Sequence, residues 1–295
     1  MSYESESRMI TPPARVAQSK PCSSRRAGFE SGGVWGFGVI PLAGGKSHTR
    51  DSGGADIRKN AAKSVTLWPE SFEKKLAMKD CRLIIFDLDG TLLDTLGDLA
   101  ASCNRTMESY GYPTFPLERY RMMVGNGITK LIERALPEDC RTPDHIMEVR
   151  RRFIGYYQAH LADFTRPYEG IPQLLSELRR RGVALAVASN KYQEGTRMLI
   201  ERFFGGNMFS AVMGQCDGRA VKPDPQIVRD ILSVTGISAD RTLYVGDSSV
   251  DMQTAANASL ESVGVTWGFR SRGELETSGA VHIVDRPEEI LTLVG

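Results

Sequence analysis

The sequence predicts an α/β fold in which a Rossmann-like, three-layer core with a central parallel sheet is interrupted by an inserted, all-helical domain. Three short apolar runs indicate the sheet, because each stops at a polar residue, as buried parallel strands do. These runs are Leu83–Phe86, 183–188 and 242–246. Between the first two runs, apolar residues recur at helical spacing over roughly seventy residues, which indicates the insertion.

The composition is that of an ordinary globular protein, with 25% charged and 41% hydrophobic residues among 295. A formal net charge of +1 gives no reason to expect nucleic acid or an anionic membrane as a partner. No apolar stretch approaches the ~20 residues that cross a bilayer. The five cysteines are scattered and form no CxxC pair, which predicts reduced thiols, a cytoplasmic location and neither a disulfide framework nor a zinc site.

The first 77 residues lack any sustained helical or strand periodicity and are rich in Ser, Gly and Arg. Such a segment buries too little apolar surface to offset its ordering entropy, so we expect disorder. Our preferred hypothesis is a non-native extension, with translation beginning at Met78, just ahead of the first predicted strand. A targeting peptide and a flexible interaction tail remain open alternatives.

Two carboxylates, Asp87 and Asp89, follow the first apolar run and are themselves followed by Gly90 and Thr91. Residues two apart on an extended chain point the same way, so both acids are predicted to face one pocket at the end of the strand. They would repel each other unless a cation or a proton separates them. A hard, oxygen-binding ion such as Mg²⁺ suits this position.

The insertion is predicted to hold helices over 96–110, 117–123, 128–136 and 144–160, and no strand-like alternation appears before about residue 170. Thr95 is predicted to cap the first helix, and Asp98 places a favourable charge near its N-terminus.

The chain then returns to the core with a helix over 171–181 and further strands near 211–214, 262–266 and 281–284, before a C-terminal helix.

Three polar positions of this half stand at predicted strand ends or ahead of a helix. Ser189 ends the second strand and is predicted to open a helix, where its hydroxyl and nearby N–H groups suit a phosphate. Lys222 precedes a helix that Asp224 caps, so its ammonium can enter the pocket. Asp247 ends the fourth strand, and Asp251 lies one helical turn beyond.

These positions fall into four short motifs that occur in order across residues 82–295. They are DLDGT at 87–91, Ser189, KPDP at 222–225 and GDSSVD at 246–251. Together they resemble the signature of the haloacid dehalogenase superfamily. VGNGI at 124–128 and the segment 264–275 also resemble the phosphoglycolate-phosphatase-like branch.

The resemblance implies a Mg²⁺-dependent phosphatase that acts on a small phosphate ester through an aspartyl-phosphate. Asp87 would be the nucleophile, Asp89 the general acid and base, and Lys222 the charge-stabilising cation. The residues that would bind phosphate are Gly90, Thr91, Ser189 and Asn190. The metal would be held by Asp87, the Asp89 backbone carbonyl and Asp247, with Asp251 supporting either Lys222 or a metal-bound water.

The resemblance also implies the domain organisation. Residues 96–167 would form a helical cap over a core made of 78–95 and 168–295, with hinges near 95–97 and 165–170. Gly125, Asn126 and Gly127 would form a cap loop that presents backbone N–H groups to the substrate, although an ordinary helix–helix turn explains them as well.

Three other functions are known alternatives for such motifs. Dehalogenation is disfavoured because that branch lacks the acid found here at Asp89. A phosphomutase of the β-phosphoglucomutase type keeps both acids and a helical cap, so it remains an alternative. A non-catalytic regulatory protein on this fold would normally have lost an acid, and none is missing. A phosphoglycolate-like substrate is favoured, while the physiological substrate and the oligomeric state cannot be read from the sequence.

Overall fold

A six-stranded parallel sheet forms the centre of the computed structural model, which describes residues 80–216 and 218–295. All neighbouring pairs in this sheet are parallel. From edge to edge the strands are Ala211–Gln215 (β5), Ala184–Tyr192 (β4), Leu83–Phe86 (β1), Thr242–Gly246 (β6), Glu261–Val265 (β7) and His282–Val284 (β8). The predicted α/β class with a parallel central sheet is therefore confirmed.

Strand β1 lies between β4 and β6, and all four of its residues are buried. Its side chains alternate between two apolar cores, with Ile84 and Phe86 packing on one face and Leu83 and Ile85 on the other. Burying one such side chain contributes about 1.5–3 kcal/mol. The sheet is thus the middle of three layers, which fixes where the residue after β1 must lie.

Helices cover both faces of the sheet and also form the insertion. Within the insertion they are Leu96–Ser109 (α1), Leu117–Met123 (α2), Gly127–Ala135 (α3) and Pro143–His160 (α4). In the returning core they are Ile171–Arg180 (α5), Gln193–Phe204 (α6), Gln226–Thr235 (α7), Ser249–Asn257 (α8) and Arg272–Thr277 (α9). The four predicted helices of the insertion are present within one or two residues of their predicted ends.

Two short antiparallel strands join the insertion to the core, where the chain leaves and where it returns. They are Leu93–Asp94 (β2) and Arg166–Pro167 (β3). The sequence did not indicate these strands, because a two-residue strand carries no periodicity to detect.

The buried carboxylate of Asp98 connects the same two places, where the chain leaves the core for the insertion and where it returns. It accepts hydrogen bonds from the Phe164 and Thr165 backbone N–H groups at 2.9 and 2.8 Å and from the Thr165 hydroxyl at 2.6 Å. Thr95 stands at the N-cap of α1, but its hydroxyl makes no capping bond, so the predicted cap is wrong. The Asp94 carboxylate accepts from the Leu96 N–H instead.

Two further elements differ from prediction. Strand β4 continues to Tyr192, so Ser189 lies within an extended segment and α6 begins only at Gln193. The expected C-terminal helix is a 3-10 segment, Pro287–Thr292.

The predicted domain boundaries near residues 95 and 167 remain predictions. The hypothesis about residues 1–77 concerns a segment outside the described residues. In the described part of the chain, no helix combines the length and apolarity needed to span a bilayer.

Candidate active site

A cavity lies at the carboxyl ends of β1, β4 and β6, where parallel α/β sheets bind their ligands. It is lined mainly by polar side chains from the core and by apolar and glycine residues from the insertion. The polar residues include Asp87, Asp89, Ser189, Asn190, Lys191, Lys222, Asp247 and Ser248. The structure therefore brings most of the sequence-predicted site residues to one place.

Asp87 directly continues β1, and its N–H donates to the Val245 carbonyl at 2.9 Å, which extends the ladder to β6. The chain then turns through Gly90, whose φ of +93° favours glycine. A Cβ at Gly90 would overlap the Asp247 carboxylate. Glycine is therefore required here for a close approach between the β1 loop and the acid at the end of β6.

Thr91 does not line the cavity, contrary to its predicted phosphate-binding position. Its side chain is fully buried, and its hydroxyl has no hydrogen-bond partner in the described part of the protein. The Thr91 carbonyl accepts from the Trp267 indole N–H at 3.0 Å, which ties the β1 loop to the segment after β7.

The segment after β7 contacts one side of Asp247. Its Oδ2 accepts the Phe269 N–H at 2.7 Å, and a Cβ at Gly268 would overlap the Asp247 side chain. The carboxylate is thus enclosed between two glycine-containing segments, with its other oxygen available to a ligand.

Asp251 is fully buried in the first turn of α8, and both of its oxygens accept hydrogen bonds. One oxygen accepts from the Ser248 N–H and hydroxyl at 3.2 and 2.6 Å, forming a capping box. The other accepts from the Lys222 ammonium at 2.7 Å. Asp251 is therefore placed to orient Lys222, one of the two roles the sequence suggested for it.

The Lys222 ammonium lies among four acceptors, although it has only three N–H groups. Besides Asp251, they are Asp87 Oδ1 at 2.9 Å, the Ala188 carbonyl at 3.0 Å and the Tyr244 hydroxyl at 3.1 Å. Burial would lower the pKa of Lys222, but the Asp251 and Asp87 carboxylates outweigh it and raise the pKa well above its usual value. Lys222 is thus a fixed cation beside Asp87.

The remaining acids carry more negative charge than Lys222 can balance. Burial, together with the charges of Asp251 and Asp89, raises the pKa of Asp87 to about 7 despite the opposing effect of Lys222. Burial and the acidic neighbours Asp251 and Asp87 also raise the pKa of Asp247. Such a site favours a proton or a cation.

The geometry fits a hard divalent ion. Carboxylate oxygens of Asp87, Asp247 and Asp251 lie within 4.8 Å of one another. Because the Asp251 oxygens already accept from Lys222 and Ser248, Asp87 and Asp247 are the carboxylates with capacity for a metal.

Asn190 links three parts of the site through its side-chain amide. Its oxygen accepts the Lys222 N–H at 2.8 Å, while its nitrogen donates to the Lys222 carbonyl at 3.2 Å and to the Gly125 carbonyl at 3.1 Å. Asn190 therefore connects the insertion to the segment that carries Lys222. Ser189 is buried beside it, and its hydroxyl accepts the Lys191 N–H at 3.2 Å.

Sequence reasoning missed Lys191. Its ammonium is almost fully buried and lies 2.8 and 3.0 Å from the two carboxylate oxygens of Asp89. The ring of Tyr157, on α4, lies 4.9 Å from the same ammonium. Lys191 lies two residues after Ser189, and on an extended strand the two side chains would point the same way. Because the strand was predicted to end at Ser189, this spacing was not used.

The loop 124–127 closes one side of the cavity, and its glycines, Gly125 and Gly127, line it. Asn126 does not, because its side chain accepts from Arg134 at 2.9 Å within the insertion. Arg270, also missed from sequence, donates to the Arg121 carbonyl and, at 2.8 Å, to the Val124 carbonyl. The core therefore holds this loop through both Asn190 and Arg270.

Comparison with known proteins identifies the family. The profile of the haloacid dehalogenase-like hydrolases matches residues 84–265, more than half of the chain. The chain belongs to the haloacid dehalogenase-like hydrolase family. It is 32% identical to the phosphoglycolate phosphatase of Pseudomonas putida over 207 residues, which cover 69% of this chain and 76% of that protein.

Two other members of the family are similarly close. The phosphoglycolate phosphatase of Caulobacter vibrioides is 33% identical over 220 residues, covering 72% of this chain and 91% of that one. A solved structure from Lactobacillus delbrueckii subsp. bulgaricus, provisionally assigned as a phosphoglycolate phosphatase, superposes with a TM-score of 0.68 at 34% identity. It covers 72% of this chain and 99% of that one. The predicted superfamily, its phosphoglycolate-phosphatase-like branch and the assignment as a phosphatase are confirmed.

Proposed function

We propose that this haloacid dehalogenase-like phosphatase hydrolyses a small phosphate monoester in two steps, with Mg²⁺ as cofactor and 2-phosphoglycolate as the favoured substrate. The observation that carries the proposal is the position of Asp87. Asp87 directly follows the central strand, and its side chain lines the cavity. Its carboxylate pairs with Lys222 at 2.9 Å and lies beside Asp247. The substrate is suggested by the relatives that are named for it.

In the first step, a carboxylate oxygen of Asp87 attacks phosphorus as the bond from phosphorus to the alcohol oxygen breaks. This step leaves an aspartyl-phosphate and the alcohol. Asp89, in its protonated form, supplies the proton that the leaving oxygen requires. Both acids line the same cavity, which supports these complementary roles.

In the second step, water attacks the phosphorus of the aspartyl-phosphate and gives its proton to Asp89, which restores the enzyme and releases phosphate. The Lys222 ammonium, fixed by Asp251 and the Tyr244 hydroxyl, stabilises the charge on the phosphoryl oxygens. Ser189 and the Asn190 backbone are the proposed phosphate contacts in the C-terminal half of β4.

The metal would be held by Asp87, Asp247 and the Asp89 backbone carbonyl. When bound, Mg²⁺ neutralises phosphoryl charge and lowers the repulsion between the substrate and the buried acids. The raised pKa values of Asp87 and Asp247 support a cation at this position.

The insertion would act as the cap that excludes water from the cavity. Its loop 124–127 reaches the cavity edge, where Asn190 and Arg270 bind its carbonyl groups.

The test is release of inorganic phosphate from 2-phosphoglycolate, with p-nitrophenyl phosphate as a general phosphatase substrate. We expect both substrates to be hydrolysed with Mg²⁺ and neither when EDTA removes the metal. Hydrolysis of p-nitrophenyl phosphate without 2-phosphoglycolate would retain the phosphatase and reject the substrate. Undiminished turnover in EDTA would reject the Mg²⁺ requirement.

A further inference from the structure

Asp89 and Lys191 form a closely matched ion pair inside the cavity. Both carboxylate oxygens accept from one ammonium, at 2.8 and 3.0 Å, and the Lys191 side chain is only 2% exposed. Tyr157 covers another side of the ammonium with its ring. In this arrangement, the carboxylate that should exchange a proton with the substrate is bound to a cation instead.

The pair creates a specific requirement for catalysis. To reach the leaving oxygen of a substrate, the Asp89 carboxylate must turn away from Lys191. A buried ammonium that loses its carboxylate partner is strongly disfavoured, so a substrate that brings another anion to Lys191 should react faster than one that does not. The carboxylates of Asp87 and Asp251 do not serve as that anion, because both are already paired with Lys222.

We propose that Lys191 binds a carboxylate carried by the alcohol part of the substrate, and that this carboxylate takes the place of Asp89 and frees it to face the leaving oxygen. The inference rests on the proposed function and deepens it. It makes the substrate class phosphate monoesters with a carboxylate on the leaving group, and it makes Lys191 the residue that selects them.

Two features of the cavity support the exchange. Lys191 and Asp89 both line it, so a ligand can reach the ammonium without crossing the core. The first turn of α3, at Gly127 and Ile128, also lines it, and the N-terminus of a helix favours negative charge. A substrate carboxylate presents the same pair of oxygens as Asp89, so the exchange conserves both the charge and the geometry around Lys191.

The experiment compares 2-phosphoglycolate with 2-hydroxyethyl phosphate, which has the same chain length and no carboxylate. The measured quantity is the ratio of kcat/KM for the two substrates in the presence of Mg²⁺. A charge-assisted hydrogen-bonded contact corresponds to about tenfold or more in this ratio. We expect the wild-type protein to prefer 2-phosphoglycolate by at least that factor, and the Lys191→Met variant to lose about tenfold or more of its preference.

Lys130→Met is the matched control, because Lys130 is an exposed lysine on α3 that pairs with Glu133 at 2.6 Å. It should keep the wild-type ratio. Lys191→Arg, which retains the charge, should keep more of the preference than Lys191→Met does. Thermal unfolding of each variant establishes that the comparison is made on folded protein.

The outcomes separate this inference from the proposed function. Equal kcat/KM for the two substrates in the wild-type protein would overturn the role of Lys191 even if Lys191→Met did not fold. An unchanged preference in Lys191→Met would overturn it as well. Failure to hydrolyse any of these esters, including p-nitrophenyl phosphate, would instead reject the proposed function.

Discussion

The Lys222 ammonium lies 2.9 Å from Oδ1 of Asp87 and joins the segment before α7 to the end of the central strand. Both groups are buried, and Asp251 holds the ammonium from the other side at 2.7 Å. This relationship explains how the carboxylate of Asp87, the proposed nucleophile, is kept in place among other acids. It also makes Lys222 important for both stability and turnover.

Lys222→Met should reduce both properties. Removing one partner of a buried ion pair leaves uncompensated charge and costs about 3–5 kcal/mol. Loss of a fixed charge at the reacting group should lower kcat by about 10²–10³-fold. Urea unfolding and p-nitrophenyl phosphate turnover measure the two effects, with Lys130→Met as the control. A variant with wild-type kcat would refute the electrostatic role of Lys222.

Gly268→Ala should impair the proposed metal site, because a Cβ there would overlap both the Asp247 side chain and the Gly90 carbonyl. We expect lost activity and about 1–3 kcal/mol of destabilisation from overpacking. Gly155→Ala is the matched control. Gly155 is exposed within α4, and a Cβ added there would meet open space among the described residues, so alanine should stabilise the helix by about 0.5–1 kcal/mol. Equal effects of the two substitutions would contradict this account of Gly268.

The stability gained from Mg²⁺ should depend on pH. Because burial and nearby acids raise the pKa of Asp87 from 3.8 to about 7, the folded, metal-free protein holds a proton that the unfolded chain releases between these values. Its stability should therefore fall as pH rises through that window. Mg²⁺ requires ionised ligands, so it should raise Tm more at pH 8 than at pH 6.

Calorimetry with and without Mg²⁺ at the two pH values measures this difference. Asp247→Asn, which lacks one proposed ligand, should show little rise in Tm at either pH. An equal rise at pH 6 and pH 8 in the wild-type protein would contradict proton-linked metal binding.

Asp98→Ala should destabilise the junction between the insertion and the core. The substitution removes the acceptor of three hydrogen bonds from Phe164 and Thr165, and leaves the buried N–H and hydroxyl groups of Thr165 unpaired. At about 1–3 kcal/mol for each unsatisfied group, we expect a loss of about 2–6 kcal/mol in unfolding free energy. Asp144→Ala, an exposed first-turn acid of α4, should lose no more than about 1 kcal/mol. Similar losses from both would refute the proposed role of Asp98.

The fold and the positions of Asp87 and Asp89 could be predicted from the sequence because both depend on local patterns. A buried apolar strand stops at its acids, and parallel strand ends meet at one edge of a sheet. Asp247 and Lys222 could be placed by the same reasoning, since each lies at or near such an end.

Contacts between distant parts of the chain could not be predicted in this way. The partner of Lys191 is Asp89, 102 residues away, and the partner of Asp98 is Thr165, 67 residues away. Neither pairing leaves a periodic trace in the sequence. The Thr95 prediction was wrong for a related reason, because a residue type that suits an N-cap does not fix where its hydroxyl points.

The central claim is that Asp87 becomes phosphorylated during turnover. Rapid acid quenching during hydrolysis of 2-phosphoglycolate, followed by mass spectrometry of the peptide that contains Asp87, tests it directly. We expect one added phosphoryl group on Asp87 in the wild-type protein, and neither phosphopeptide nor turnover in Asp87→Asn. Wild-type rates of phosphate release from Asp87→Asn would contradict it.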